Sequence, residues 1–370
     1  MKIGIIGTRG IPNHYGGFEQ ASEYLSTGLA AKGHEVMVYC SHNHPYQENS
    51  WNGIQLIRCK DPEYYMKMAG QFFYDFNCIR DARNRNFDVL LFMGYTSSSV
   101  WSRYFPKKTI IISNMDGIEW KRQKYSWLVQ RFLQYAEGLA IKHSHFHIAD
   151  SEMIKKILDE KYRINCTYIP YGACHKLPPE NNILEKYKLT REGYFLLMAR
   201  MEPENNIETI LSGFVKCSSE KKMVVIGNMN NRYGRMIENK FAKQGVIFTG
   251  PVFNQSIVSS LRANCYLYFH GHSVGGTNPS LIEAMADRIL IAAHDNIFNR
   301  HILKDDAYYF SCAEDVRKIM NSVSKDDEEA KIENNIVKIT REFNWTSVLE
   351  GYNNLIESAV IQSYACDKIK

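Results

Sequence analysis

Short, almost wholly apolar runs alternate along this chain with longer stretches in which apolar and polar residues recur at helical spacing. The runs in the first half are Lys2-Ile3-Gly4-Ile5-Ile6, Glu35 to Cys40, Ile54 to Cys59, Phe87 to Phe92, Thr109 to Ile112 and His145 to Ala149. Runs of that length and composition read as strands buried on both faces. Helical pattern lies between them, from about Gln20 to Lys32 with Gly33 as its stop, from about Met66 to Asn84, and near Trp127 to Lys142. The rhythm restarts after Ile169-Pro170-Tyr171-Gly172, with strand-like Tyr194 to Ala199, Met223 to Ile226, Val246 to Phe248, Cys265 to Phe269 and Ile289 to Ala293, and helical pattern such as Ile207 to Lys216. Strands alternating with helices predict an α/β protein with two parallel sheets of comparable size and a hinge near Pro170. A last amphipathic helix follows Trp345, with Val348, Leu349, Tyr352, Leu355 and Ile356 on one face, and residues 325–335 read as a solvated helix start.

Asn264 to Asp287 carries the sharpest local signal. An apolar run ending at Phe269 feeds a small, polar loop, His270 to Asn278, and a helix opens at Pro279 with Asn278 placed to cap it. A strand, a loop holding Gly275-Gly276 and a helix N-terminus make a phosphate cradle: first-turn N–H groups lack intrahelical acceptors and the helix dipole favours an anion. Glu283, one turn in, can accept from a sugar hydroxyl beside that phosphate. An ordinary capped αβ turn has the same pattern.

Size and composition narrow the class. A chain of 370 residues suits about two domains, and no apolar run reaches the roughly 20 residues that span a bilayer. The N-terminal MKIGIIGTRG reads as a first core strand, not a signal peptide. Nine scattered cysteines without a C-x-x-C pair read as reduced core thiols of a cytosolic protein. Residues 1–170 hold 21 Lys and Arg against 16 Asp and Glu, while residues 171–370 hold 24 of each, so the net charge of +5 sits in the first half. Within 101–131 seven bases are interleaved with Trp101, Tyr104, Phe105, Trp120, Tyr125 and Trp127. That mixture suits an anionic membrane surface; nucleic-acid binding and a solvated helix share the pattern. His143, His145 and His147 alternate on one strand face, where a structural role outweighs a metal site. The glycines after the first strand form no G-x-G-x-x-G, which argues against a dinucleotide site. Walker A, Gly-x-Ser-x-Gly and Asp-x-Asp patterns are absent.

Taken together, four stretches resemble the retaining glycosyltransferases of family four. They are Arg200-Met201-Glu202-Pro203-Glu204-Asn205-Asn206-Ile207, Thr249-Gly250-Pro251-Val252, Ser280 to Ala286, and Gly16-Gly17-Phe18-Glu19. Closer still, GTRGIPNHYGGFEQ, Asn114 to Arg122 and HGHSVGGTNPSLIEAMA are similar to the bacterial subgroup that includes β-1,4-rhamnosyltransferases. The resemblance implies a GT-B fold, two Rossmann-like domains facing each other across a cleft. It places an acceptor domain at 1–171, a donor domain at 172–344, and a C-terminal helix, about 345–370, that packs back on the first domain.

It also implies transfer of a sugar, L-rhamnose from dTDP-L-rhamnose, with retention onto a lipid-diphosphate-linked saccharide in cell-surface polysaccharide synthesis. No cofactor or metal is implied, and the partners are the nucleotide sugar, the lipid-linked acceptor and an anionic membrane surface at the inner face of the cell membrane, with no nucleic acid. A UDP- or GDP-sugar donor, a GT-B epimerase and a silent nucleotide-sugar-binding scaffold are the alternatives. The resemblance makes Arg200, Glu283 and Asp116 the catalytic set, with Asp116 also readable as an Asp-Gly turn. Donor-binding residues are Gly16, Gly17, Arg200, Asn205, Val252, His270, Gly275, Gly276, Thr277, Asn278, Ser280 and Glu283. Arg9, Glu119, Trp120, Lys121, Arg122 and Lys124 are assigned to the acceptor or the membrane. Two positions depart from the family pattern: Gly275 stands where a carboxylate usually touches the donor sugar, and Asn205 stands where a lysine usually partners Arg200.

Overall fold

The computed structural model describes residues 1–367 apart from 15, 116, 123 and 174–182. The chain forms two compact units, one of Met1–Trp120, Trp127–Pro170 and Trp345–Lys370, the other of Lys121–Ser126 and Tyr171–Asn344. The first holds β1 (Lys2–Ile6), β2 (Glu35–Ser41), β3 (Ser50–Trp51), β4 (Ile54–Cys59), β5 (Val89–Phe92), β6 (Ile110–Asn114), β7 (Phe146–Ala149) and β8 (Thr167–Tyr168). They lie in the order β3-β4-β2-β1-β5-β6-β7-β8, and only the β3–β4 hairpin is antiparallel. Helices α1 (Gly17–Ala31), α2 (Glu63–Met66), α3 (Met68–Ala82), α4 (Trp127–His143) and α5 (Glu152–Tyr162) cover the sheet, joined by the C-terminal helix Trp345–Asp367. That last helix buries Val348, Tyr352 and Ile356, stacks Trp345 on Tyr24 of α1 with ring centres 4.4 Å apart, and lays Leu349 against Gly28.

The second unit holds β9 (Tyr194–Met198), β10 (Lys222–Ile226), β11 (Val246–Gly250), β12 (Leu267–His270), β13 (Ile291–His294) and β14 (Tyr308–Phe310), all parallel, in the order β11-β10-β9-β12-β13-β14. Its helices are α6 (Ile183–Lys186), α7 (Ile207–Phe214), α8 (Arg232–Phe241), α9 (Gln255–Ala263), α10 (Pro279–Ala286), α11 (Ile297–Leu303), α12 (Ala313–Ser322) and α13 (Glu329–Arg341). Four in succession, α8 to α11, begin on an asparagine whose side chain accepts a first-turn N–H, at Asn231, Asn254, Asn278 and Asn296. The core between sheet and helices is built from Phe195, Leu197, Ile210, Leu211, Val225, Phe269 and their neighbours.

Several boundaries differ from the sequence pattern. Strand β12 starts at Leu267, not Cys265, because the Cys265 amide still bonds back to the Arg262 carbonyl at the end of α9. The helical pattern from 66 to 84 breaks at Lys67, whose φ is 51°, giving α2 and α3. Residues 325–335 are less solvated than expected, since α13 buries Ile332 and Asn335. Lys121–Ser126 belongs to the second unit, a departure from a boundary at 171. Strand β14, absent from the sequence pattern, is three residues long and buries only Phe310 fully.

Candidate functional site

Leaving aside the β3–β4 hairpin, the strand order reverses between β1 and β5 in the first sheet and between β9 and β12 in the second. Doubly wound sheets bind ligands at the carboxyl ends of the strands flanking such a point. In the second unit those ends deliver Arg200, two residues after β9, and the loop from His270 after β12. The sequence signals at 200–206 and 270–283 thus converge on one place.

The two segments are tied together by backbone contacts. Asn206 donates through Nδ2 to the Gly271 carbonyl at 2.8 Å, and Ser273 donates through its amide (3.1 Å) and its hydroxyl (2.7 Å) to the Glu204 carbonyl. On the other side Asn296 and Asn299 donate to the His272 carbonyl at 3.1 and 3.0 Å. A shallow surface recess remains, with His272, Gly275, Gly276, Asn278 and Asn299 in its wall. Gly275 has φ +130°, a region that favours glycine. The amides of Gly275 and Gly276 have no hydrogen-bond acceptor among the described residues.

The mouth of α10 is narrower chemically than the sequence pattern expects. Asn278 Oδ1 accepts from the Ser280 amide (3.1 Å) and hydroxyl (2.8 Å), while the Leu281 amide bonds to the Asn278 carbonyl. Ser280 is therefore spent on its cap, and an anion here would meet the glycine amides and the helix dipole. Thr277 is buried. Val252 is half-buried in the loop after Gly250, whose φ is +74°.

Glu283 is set by a residue the sequence reading overlooks. Arg262, 3% exposed, donates from Nη1 to Glu283 Oε2 at 2.7 Å and from Nε to Asp287 Oδ2 at 2.6 Å. Ser259 completes the group with a 2.6 Å bond to the other Asp287 oxygen. The only hint in the sequence is a lone arginine in the otherwise small and apolar Ser259-Ser260-Leu261-Arg262-Ala263.

Arg200 is exposed and makes no hydrogen bond or ion pair through its side chain among the described residues. Its carbonyl accepts from Asn205 Nδ2 at 2.7 Å, and Asn205 is 2% exposed. That corrects Asn205 from a donor contact to a buried brace of the Arg200 turn: a short amide reaches back to the main chain. His270 is another correction. It lies fully buried at the end of β12 with both ring nitrogens unpartnered among the described residues, stacked on His272 at 4.4 Å. Burial drives the His270 pKa well below its usual value. Burial, helped by the Arg200 and Arg122 charges, brings His272 down to about 3. Both rings are neutral at pH 7, and His272, partly exposed at its edge, is the one that reaches the recess.

Two bases of the 101–131 stretch are drawn into ion pairs. Lys124 pairs with Glu202 at 2.7 Å, and Arg122, 13% exposed, lies 4.0 Å from Glu202 and 3.9 Å from Glu204. Burial opposes the Glu202 charge, but Arg200, Lys124 and Arg122 outweigh it and hold that carboxyl below the usual range. Glu204, buried beside it, is pushed upward by burial. Arg122 and Lys124 are thus engaged within the second unit, not displayed to a membrane.

In the first unit Arg9, assigned to the acceptor or the membrane, is held bidentate by Glu63 at 2.7 and 2.9 Å. Gly16 precedes α1 and Gly17 opens it, and the loop before them is fastened to that helix by Glu19, which accepts the Arg9 amide, and Glu23, which accepts the Asn13 amide. Trp120 donates to Glu137 at 3.1 Å, with Lys161 and Tyr162 on the same carboxylate, so it braces the unit's interior. Glu119 is half-buried and Lys121 exposed. Asp116 lies outside the described residues. Asp75, which the sequence reading omits, is buried with its pKa raised to about 7 by burial, and Ser97 donates to it at 2.6 Å. His145 and His147 spend ring nitrogens on the main chain, and the described residues hold no metal-binding cluster.

Residues 1–174 match the family model described as Domain of unknown function (DUF1972), and residues 180–342 match that described as Glycosyl transferases group 1. No curated protein matches the chain in sequence. Solved structures of similar fold include sucrose-phosphate synthase from Thermosynechococcus elongatus, at 15% identity over 96% of this chain and 98% of that one, TM-score 0.80. HepE from Anabaena in complex with UDP and glucose is 12% identical over 96% and 99%, TM-score 0.76. An α,α-trehalose-phosphate synthase (UDP-forming) from Burkholderia vietnamiensis is 9% identical over 96% and 99%, TM-score 0.72. Residues 180–342 are thus similar to glycosyl transferases group 1, and the α/β architecture of two mainly parallel sheets is that of GT-B proteins.

Proposed function

We propose that this chain, similar over residues 180–342 to glycosyl transferases group 1, moves a sugar with retention from a nucleotide-sugar donor onto a lipid-diphosphate-linked saccharide at the inner face of the cell membrane. The donor we favour is dTDP-L-rhamnose, and the product belongs to a bacterial surface polysaccharide. One observation carries the reading: an exposed arginine whose side chain has no hydrogen bond or ion pair among the described residues stands at the same sheet switch point as a glycine loop whose amides have no acceptor among them, and a buried arginine that fixes Glu283.

The chemistry follows from charge. Breaking the anomeric C–O bond leaves negative charge on a diphosphate, and Arg200, the Gly275 and Gly276 amides and the α10 dipole are placed to receive it without a metal. Glu283, held by Arg262, accepts from the ribose hydroxyls. A neutral His272 offers a ring nitrogen to the sugar where Gly275 replaces a carboxylate, and a 6-deoxy sugar presents one hydroxyl fewer to such a carboxylate. Asp116 would position the acceptor hydroxyl, while the leaving phosphate takes its proton on the retained face.

A UDP-sugar donor is the second reading, favoured by HepE, whose structure holds UDP and glucose. A donor panel assayed by nucleotide release, with and without a lipid-linked acceptor and with a chelator arm, tests both. We expect acceptor-dependent release from dTDP-L-rhamnose that the chelator leaves unchanged. Acceptor-dependent release from a UDP-sugar alone supports the second reading, and binding without turnover of any donor means a scaffold.

A further inference from the structure

Large hydrophobic side chains left in water are usually scattered; gathered on one face, they mark a surface that meets something else. In the first unit they gather. Met68 of α3 and Trp127 and Leu128 of α4 are 71%, 67% and 70% exposed, and Phe73, Tyr104 and Tyr135 are exposed beside them. Packing makes these elements one surface. The Phe72 ring of α3 stands 5.7 Å from Phe132 of α4, the Phe76 ring stands 5.2 Å from Tyr104, and Trp101 donates to the Phe72 carbonyl at 2.8 Å. Helix α4 buries Leu133, Ala136, Glu137 and Ala140, so Leu128, Arg131 and Tyr135 fall on its opposite side.

The charges on this face have one sign. Lys67, Arg103 and Arg131 are exposed among the apolar residues, and the Arg131 guanidinium lies 5.9 Å from the Trp127 ring. The acids of α3 and α4 are turned away: Asp75 and Glu137 are buried, and Asp81 takes Arg85 and the Tyr39 hydroxyl. A two-fold pairing of this face with a second copy would set its cations against themselves with no acid between them. An anionic bilayer meets the same face with phosphates for the cations and an apolar boundary for the aromatics.

We infer that the α3–α4 face, from Met68 to Tyr135, is where the protein lies on an anionic lipid surface, with Trp127 and Leu128 entering the boundary between headgroups and acyl chains. This gives the membrane-bound acceptor of the proposed function a place of approach, and it moves the membrane contact away from Arg122 and Lys124. The lipid step needs no turnover, so it is tested separately from the transferase reading.

The experiment is sedimentation of the full chain with vesicles of phosphatidylglycerol and phosphatidylcholine in equal parts, and of phosphatidylcholine alone, at low and high salt. Wild type pellets with the anionic vesicles at low salt. Trp127→Glu/Leu128→Glu lowers the partition coefficient at least about tenfold, Met68→Glu on the other helix lowers it too, and Phe253→Glu, a 73% exposed residue of the second unit, leaves it unchanged. Far-ultraviolet circular dichroism confirms folding of each variant. Wild type remaining in the supernatant, equal binding by the α4 double variant, or an equal loss in Phe253→Glu overturns the inference. So does a wild-type dimer that the double variant converts to monomer with lipid binding unchanged. Vesicle binding without nucleotide release from any donor defeats the transferase reading and leaves this face standing.

Discussion

Replacing Arg262 by methionine keeps most of the side chain's length and removes its charge, which isolates what the buried guanidinium does. Two charge-assisted bonds, 2.6 Å to Asp287 and 2.7 Å to Glu283, are lost from a site where the three side chains are 3%, 5% and 16% exposed. Removing one partner of a buried ion group leaves uncompensated charge and costs about 3–5 kcal/mol. At about 2–4 °C per kcal/mol for a unit of this size, the melting transition of the second unit should fall by roughly 10 °C at pH 7.5. The pH dependence sharpens the test. Burial already raises the Asp287 pKa, with Arg262 pulling it down; without Arg262 it rises further. An acid whose folded pKa exceeds its unfolded one takes up a proton on folding, so stability is retained at low pH and lost as pH rises through that interval. The deficit of Arg262→Met against wild type is therefore small near pH 4.5 and full by pH 7.5. Calorimetry at both pH values reads it, and Arg262→Lys should recover part of the loss. A drop under about 3 °C at pH 7.5, or the same deficit at both pH values, refutes the assignment of this triad.

Arg200→Ala should lower nucleotide release by about 10²–10³ with the melting temperature unchanged, because the side chain is exposed; a loss under tenfold removes Arg200 from the diphosphate site. Asp75, raised to about 7 by burial, weakens the first unit as pH climbs from about 4 to 7, so Asp75→Asn should raise its melting temperature at pH 8.5 and not at pH 5. An equal change at both would place the effect in packing. His270 and His272, both depressed by burial, exclude protons in the folded state, so stability is complete above about pH 6.5 and declines toward acid. His272→Gln should make the melting temperature of the second unit less steep between pH 6.5 and 4.5, and an unaltered slope would mean that His272 titrates normally.

The strands and the glycine loop before α10 were legible because each is a local signal. An apolar run between polar stretches can hardly be anything but a buried strand, and Asn278-Pro279 announces a helix start wherever it lies. The fold class followed from the alternation of such runs. What was not legible depends on residues far apart in sequence. Arg262 meets Glu283 and Asp287 only because α9 and α10 pack side by side, and the Arg9–Glu63 pair joins residues 54 apart in sequence. The pairing of Lys124 was hidden for a related reason: composition counts charges but does not say that Lys124 already faces Glu202, while Arg103 and Arg131 of the same stretch stay exposed. Strand β14 escaped because it is an edge strand of three residues, too short to stand out as a run.

The helix Trp345–Asp367 completes the first unit although it is made after the whole of the second. On a ribosome adding about 5–20 residues per second, the whole second unit is synthesised before that piece arrives, a wait of roughly ten to thirty-five seconds after Pro170 emerges. During that interval the surface of α1 around Gly28 and Tyr24 has no cover. A nascent chain of this protein must carry an unfinished domain at its leading end, so chaperone dependence should be concentrated there, and expressing residues 1–170 alone should yield aggregates where adding back the final helix as a separate peptide restores solubility.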